Sequence, residues 1–148
     1  MLLLLDSTDL AEIKEVASWG VCAGLTCNPS LVARSGLDFK ALAYQMFKLM
    51  PGALISLEVV ATTAPEMIAE AETLLRWQPT AVVKIPMGAE GLKATSVLSK
   101  RGVKCNVTLC FSACQALMAA RGGGSWVSIV IGRPGDGGDR GWGVRVGA

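Results

Sequence analysis

Histidine is absent from these 148 residues. Ser–His triads and Cys–His nucleophiles are therefore excluded, and any general acid or base must be a carboxylate, Lys, Tyr, Cys or a held water. The five cysteines (Cys22, Cys27, Cys105, Cys110 and Cys114) are odd in number, and no two have C-x-x-C spacing. Without histidine or paired cysteines no zinc site is expected, and most of the thiols read as reduced packing residues. Charge is sparse, at 18% with a net of +2, so there is no basic stripe for nucleic acid. Small anionic metabolites remain possible partners, because one or two placed Arg or Lys side chains suffice for them. No window approaches the roughly 18 uninterrupted apolar residues of a membrane span. The opening Met-Leu-Leu-Leu-Leu-Asp lacks a basic n-region, and its apolar run is too short for a signal peptide. The expectation is a cytoplasmic protein with no membrane partner.

Short apolar runs alternate with helical patterns. The runs are Leu2–Leu5, Val21–Leu25, Ala53–Val60, Ala81–Ile85, Val103–Leu109 and Trp126–Ile131. Helical spacing follows over Asp9–Ala17, capped from Asp6 to Thr8, and Ser30 reads as the cap of a short turn, Leu31–Ala33. Asp38 caps Phe39–Met50, which stops at Pro51-Gly52. A helix from about Thr63 to Trp77 carries Pro65 in its first turn, where proline is tolerated. Ala89–Lys100 ends at Gly102, and Ser112 caps a helix through Ala120 that closes at Gly122. This is βα repeated about six times. Runs apolar on both faces indicate parallel strands covered by helices, hence a doubly wound sheet or a (β/α) barrel. No G-x-G-x-x-G follows a strand, which weighs against a doubly wound nucleotide-binding domain. The last stretch differs: residues 122–148 hold ten of the seventeen glycines, and Gly132 to Asp139 cannot carry a helix without large cost. A full barrel has eight strands and at least roughly 200 residues. The expected architecture is therefore an α/β, incomplete (β/α)8 TIM barrel over residues 1–133, followed by an irregular glycine-rich tail, 134–148.

Placement of polar residues favours the barrel. Asp6, Thr26 with Asn28, Glu58, Lys84, Asn106 with Thr108, and Ser128 fall at or just after the C-terminal ends of successive runs. In a barrel those ends converge on one mouth, where active sites are built. Each residue also has a plain reading: Asp6 as a helix cap, Asn28 as a turn residue before Pro29, Thr108 as an ordinary strand residue. A carboxylate at Glu58, between Leu57 and Val59-Val60, is costly to bury without purpose. Lys84 carries the sharpest signal, in Ala-Val-Val-Lys-Ile-Pro. Burial favours the neutral amine, the form that attacks a ketone or aldehyde. The alternative is a lysine whose stem packs and whose head reaches water. With Lys84 as nucleophile the others fit carbonyl chemistry. Asp6 is placed to take the proton of a C4 hydroxyl, and Glu58 with Thr108 to hold the water that moves protons at the imine. Asn28 and Asn106 can bond sugar hydroxyls, and Arg133 can clamp a phosphate bidentately or simply lie at the surface.

These residues sit in a specific series of motifs. They are Leu-Leu-Leu-Asp-Ser-Thr-Asp near the start, Gly24-Leu25-Thr26-Cys27-Asn28-Pro29-Ser30, Ser56-Leu57-Glu58-Val59, Val83-Lys84-Ile85-Pro86-Met87, and Asn106-Val107-Thr108-Leu109-Cys110-Phe111-Ser112. Gln115-Ala116 and Ser128 through Gly132-Arg133 follow. In this order, over residues 1–133, the series resembles the small transaldolases and their relatives the fructose-6-phosphate aldolases. The resemblance implies an eight-stranded barrel, a Schiff-base lysine at Lys84, a proton-transfer aspartate at Asp6, and a strand-three glutamate at Glu58. It further implies substrate contacts at Thr26, Asn28, Asn106, Ser128 and Arg133, with Thr108 beside the catalytic groups. The implied reaction moves a dihydroxyacetone unit from sedoheptulose 7-phosphate to glyceraldehyde 3-phosphate in the pentose phosphate pathway, with no metal or organic cofactor. Glutamate rather than glutamine at position 58 favours transaldolase over the aldolase branch. The resemblance also implies a homo-oligomer. Its Ala-Ser-x-Arg phosphate segment and its C-terminal assembly helix have no counterpart after Arg133, and Ser128-Ile129-Val130-Ile131-Gly132-Arg133 lacks the usual aromatic. The chain thus reads as a truncated family member. The opposing expectation is a catalytically inactive fragment whose open sheet edges favour self-association.

Overall fold

The computed structural model describes residues 2–130, so Ile131, Arg133 and the glycine-rich tail lie outside the described residues. Six strands form one parallel sheet: β1 (Leu3–Asp6), β2 (Cys22–Thr26), β3 (Leu54–Glu58), β4 (Val82–Pro86), β5 (Cys105–Cys110) and β6 (Trp126–Ile129). Between them run α1 (Leu10–Ser18), α2 (Pro29–Ser35), α3 (Phe39–Leu49), α4 (Ala64–Trp77), α5 (Ala89–Lys100) and α6 (Ala113–Arg121). Each strand lies beside the next in chain order. A doubly wound sheet reverses its strand order at a switch point; this sheet does not, so the barrel expectation holds. Curvature is visible in one contact. The Asn106 amide on β5 reaches the Ser56 hydroxyl on β3 at 3.4 Å, over the top of β4. In a flat sheet alternate strands stand about 9.5 Å apart. The sheet is therefore a curled partial (β/α) barrel.

Side chains alternate along each strand, and the two faces have opposite chemistry. Ile55, Leu57, Val83, Ile85 and Cys105 point outward into the main core, against Leu42 and Met46 of α3, Met67, Ala71 and Leu74 of α4, and Ala94 and Leu98 of α5. Burying each large aliphatic side chain contributes roughly 1.5–3 kcal/mol. A second cluster joins Val107 and Cys110 to Ala119 of α6. The inward face carries the polar set.

Two expected caps are corrected. Asp9, not Asp6 to Thr8, caps α1, its carboxylate accepting from the amides of Ala11 at 2.8 Å and Glu12 at 3.3 Å. The chain stays extended through Asp9, which leaves Asp6 at the end of β1 and free of capping duty. Asn28, not Ser30, caps the short helix, accepting from Leu31 N at 3.0 Å. Pro29, with its φ preset for the first helical position, starts that helix earlier than expected, and it runs on to Ser35. Asp38 and Ser112 cap α3 and α6 as expected.

Gly91 seats α5 against the strand that carries Lys84. A Cβ there would lie 2.0 Å from the Pro86 carbonyl oxygen and 3.3 Å from Ile85 Cγ2. In an open helix Gly→Ala is worth about 1 kcal/mol of extra stability. Here overpacking against backbone wins, so Gly91→Ala is expected to destabilise by about 1–3 kcal/mol. Urea titration reads this as a lower midpoint at unchanged slope; a raised midpoint would show that α5 does not approach β4 this closely.

Candidate active site

The inward residues converge at the C-terminal ends of the strands. In register, Asp6 lies beside Thr26, Glu58 beside Lys84, and Lys84 beside Asn106. Lys84 Nζ stands 3.0 Å from Glu58 Oε2 and donates to the carbonyl oxygen of Cys27 at 3.1 Å. Both side chains are buried, with Lys84 7% and Glu58 8% exposed. Lys84 thus neither snorkels to solvent nor packs among the helices. It is held on the inner face by a carboxylate from β3 and a backbone oxygen just past β2.

Asp6 faces the same mouth from β1, where Thr26 donates its hydroxyl to Asp6 Oδ1 at 2.7 Å. The bond fixes one carboxylate oxygen and leaves the other to a ligand. A concavity of about 340 Å³ contains Asp6, Asn28, Pro29, Ser30, Glu58, Lys84, Thr108, Leu109 and Val130. Five of the expected site residues therefore meet around one space large enough for a small sugar. Asn28 has two duties: its Oδ1 caps α2, and its amide hydrogens remain as the donors it offers the mouth. The turn reading and the binding reading of Asn28 are compatible.

Asn106 and Ser128 do not line that concavity. Ser128 donates to Asn106 Oδ1 at 2.8 Å, and Asn106 Nδ2 donates to Ser56 Oγ at 3.4 Å. Their polar atoms link β3, β5 and β6. Arg133 is outside the described residues. Three participants were missed in the sequence. The Cys27 carbonyl left no signal, because a backbone acceptor has no residue type. Ser56 was findable, since it lies two residues before Glu58 on the same strand face. Leu109 shares the mouth with Lys84, an inward turn that strand alternation does not announce.

Burial pushes the Cys27 thiol up to about 12, with Lys84 opposing, and pushes Cys105 up to about 11. Both are ordinary buried thiols rather than nucleophiles. Their folded values exceed the ordinary thiol value of 9.0. The native state therefore holds these protons after the unfolded chain has lost them, and stability falls as pH rises from about 9 toward 12. Denaturant titrations across that window are expected to show the fall, and Cys27→Ala to reduce its slope. An unchanged slope would place the titration elsewhere. Below pH 9 a thiol reagent is expected to label exposed Cys114 and spare buried Cys27 and Cys105.

No helix among the described residues is long and apolar enough to cross a membrane. The family model for Transaldolase/Fructose-6-phosphate aldolase matches residues 3–141. Three relatives carry the name probable transaldolase. That of Alkaliphilus metalliredigens is 50% identical over 141 residues, 95% of this chain and 65% of the relative. That of Caldicellulosiruptor saccharolyticus is 49% identical over 141 residues, 95% of this chain and 64% of the relative. That of Desulforudis audaxviator is 50% identical over 141 residues, 95% of this chain and 65% of the relative. The chain thus spans just under two thirds of the length of these relatives. A sequential parallel βα sheet, a buried Lys–Glu pair at its C-terminal mouth and a match over nearly the whole sequence agree: the chain belongs to the transaldolase/fructose-6-phosphate aldolase family.

Proposed function

We propose that this chain carries the Schiff-base half of a transaldolase site, moving a dihydroxyacetone unit from sedoheptulose 7-phosphate to glyceraldehyde 3-phosphate in the pentose phosphate pathway. The observation that carries the reading is the Lys84–Glu58 contact of 3.0 Å inside the mouth. Lys84 passes a proton to Glu58 and its amine attacks the ketose carbonyl carbon. The new ammonium nitrogen gives up its extra proton to the alkoxide oxygen, leaving a neutral carbinolamine. Glu58 then returns a proton as that hydroxyl leaves as water, giving the imine. Direct contact makes Glu58 a partner to the amine itself, and with Thr108 it holds the water that serves the later hydrolysis. Asp6 takes the proton from the C4 hydroxyl, the C3–C4 bond breaks, and the aldehyde departs. The enamine left on Lys84 attacks the acceptor aldehyde, Asp6 returns its proton, and hydrolysis frees the new ketose.

Thr26 steadies Asp6 through the 2.7 Å bond. Asn28 and Asn106 donate to substrate hydroxyls, Ser128 binds substrate beside Asn106, and Arg133 holds the phosphate. A chemistry that consumes phosphorylated sugars belongs in the cytoplasm. Product analysis tests the reading. Sedoheptulose 7-phosphate with glyceraldehyde 3-phosphate is expected to yield a new ketose phosphate. Free dihydroxyacetone released from fructose 6-phosphate would assign the aldolase branch instead. No product from either substrate would assign the inactive fragment.

A further inference from the structure

Among the described residues, Leu109 is the sole non-glycine with a positive φ, at 59°. In that region a leucine's Cβ crowds its own backbone, and glycine would be the ordinary occupant. The conformation accompanies an extra residue in β5. Val107 pairs with Val127 and Cys110 with Ile129, so three steps on β5 match two on β6. Hydrogen bonds pin the bulge on both sides: Met87 N donates to Thr108 O at 2.8 Å, and Val130 N to Cys110 O at 3.1 Å.

The bulge changes which way side chains face. Val107 and Cys110 both pack in the outer cluster with Ala119, although an unbroken alternation would put them on opposite faces. Thr108 and Leu109, between them, both line the mouth with Lys84. A regular strand would have sent Leu109 outward to the helices. Bulges beside active sites commonly re-aim a side chain in this way. What this one delivers is a half-buried leucine in the cup that holds Asp6, Glu58 and Lys84, where Pro29 and Val130 are its other apolar lining.

We propose that Leu109 is the specificity-determining residue of the mouth, an apolar wall beside the Lys84 amine that limits the bulk carried next to the carbonyl carbon, and that the left-handed bulge exists to hold it there. The proposal rests on the Schiff-base reading above. Leu109 makes no bond in the reaction; it restricts which carbonyl compounds reach the amine.

The test measures borohydride trapping rates for hydroxyacetone and for 1-hydroxy-2-butanone, which differ by one methylene. A fitted apolar wall discriminates one methylene by roughly 10–200-fold. The native chain is expected to trap hydroxyacetone at least about tenfold faster, and Leu109→Ala to bring the ratio toward one. Leu109→Gly is expected to do the same while melting no lower than Leu109→Ala, because glycine accepts the left-handed backbone without strain. A purely structural role would slow both ketones together and leave the ratio intact, and that result overturns the proposal. So would a native chain that traps both ketones equally. If the native chain traps neither, the Schiff-base reading itself fails and this proposal falls with it.

Discussion

Asparagine in place of Asp6 is expected to lower turnover by roughly 10²–10⁴-fold, the range a positioned general base contributes. The same variant should form its covalent ketose adduct at nearly the native rate. The separation follows from geometry. Asp6 is held by Thr26 at 2.7 Å on β1, while the amine has its own carboxylate, Glu58, at 3.0 Å on β3. On the proposed mechanism, two acidic groups serve two steps from two strands. Asparagine keeps the size of the side chain and its oxygen for the Thr26 bond, so only the base is lost. Steady-state turnover and single-turnover trapping, measured on the same preparation, separate the cases. Equal falls in both would place Asp6 in imine formation, and no fall in either would make it a bystander.

Replacing Lys84 with methionine should destabilise the fold as well as remove the proposed nucleophile. The stem keeps its volume, but the positive charge opposite a carboxylate only 8% exposed disappears. The Cys27 carbonyl also loses its donor. Breaking one side of a buried ion pair costs about 3–5 kcal/mol. Lys84→Met should therefore show a clearly lower denaturation midpoint. Adding Glu58→Gln in that background should recover much of the loss, since a neutral amide is far cheaper to bury than a lone charge. A Lys84→Met variant as stable as the native chain would mean that the pair is solvated and that the cup is wet.

Much of this was legible in residue order. Apolar runs broken by capping residues gave the six strands and most of the helices, because a parallel strand covered on both faces leaves a continuous apolar signature. Polar residues at the ends of those runs marked the mouth, because in a barrel strand ends share one location. Asp6, Asn28, Glu58, Lys84 and Thr108 are found together there. Other features were hidden for identifiable reasons. Asp9 took the cap expected from Asp6 to Thr8, since α1 starts at Leu10, one residue later than the helical spacing implies. The Cys27 carbonyl that holds Lys84 belongs to the backbone, which sequence does not spell. The bulge at Leu109 lacks the glycine that normally announces a left-handed residue, so Val103–Leu109 read as an unbroken strand. The hydrogen bonds that join Asn106 to Ser128 and to Ser56 were also not legible. Partner choice among inward polar residues depends on curvature, which periodicity does not report.

The central claim is that Lys84 adds to a keto sugar inside this mouth. Incubation with dihydroxyacetone, reduction with borohydride and mass-spectrometric sequencing of the peptides tests it most directly. The expected result is a reduced three-carbon adduct on Lys84, lost in Lys84→Met. An adduct confined to exposed lysines such as Lys93, or no adduct at all, would contradict it.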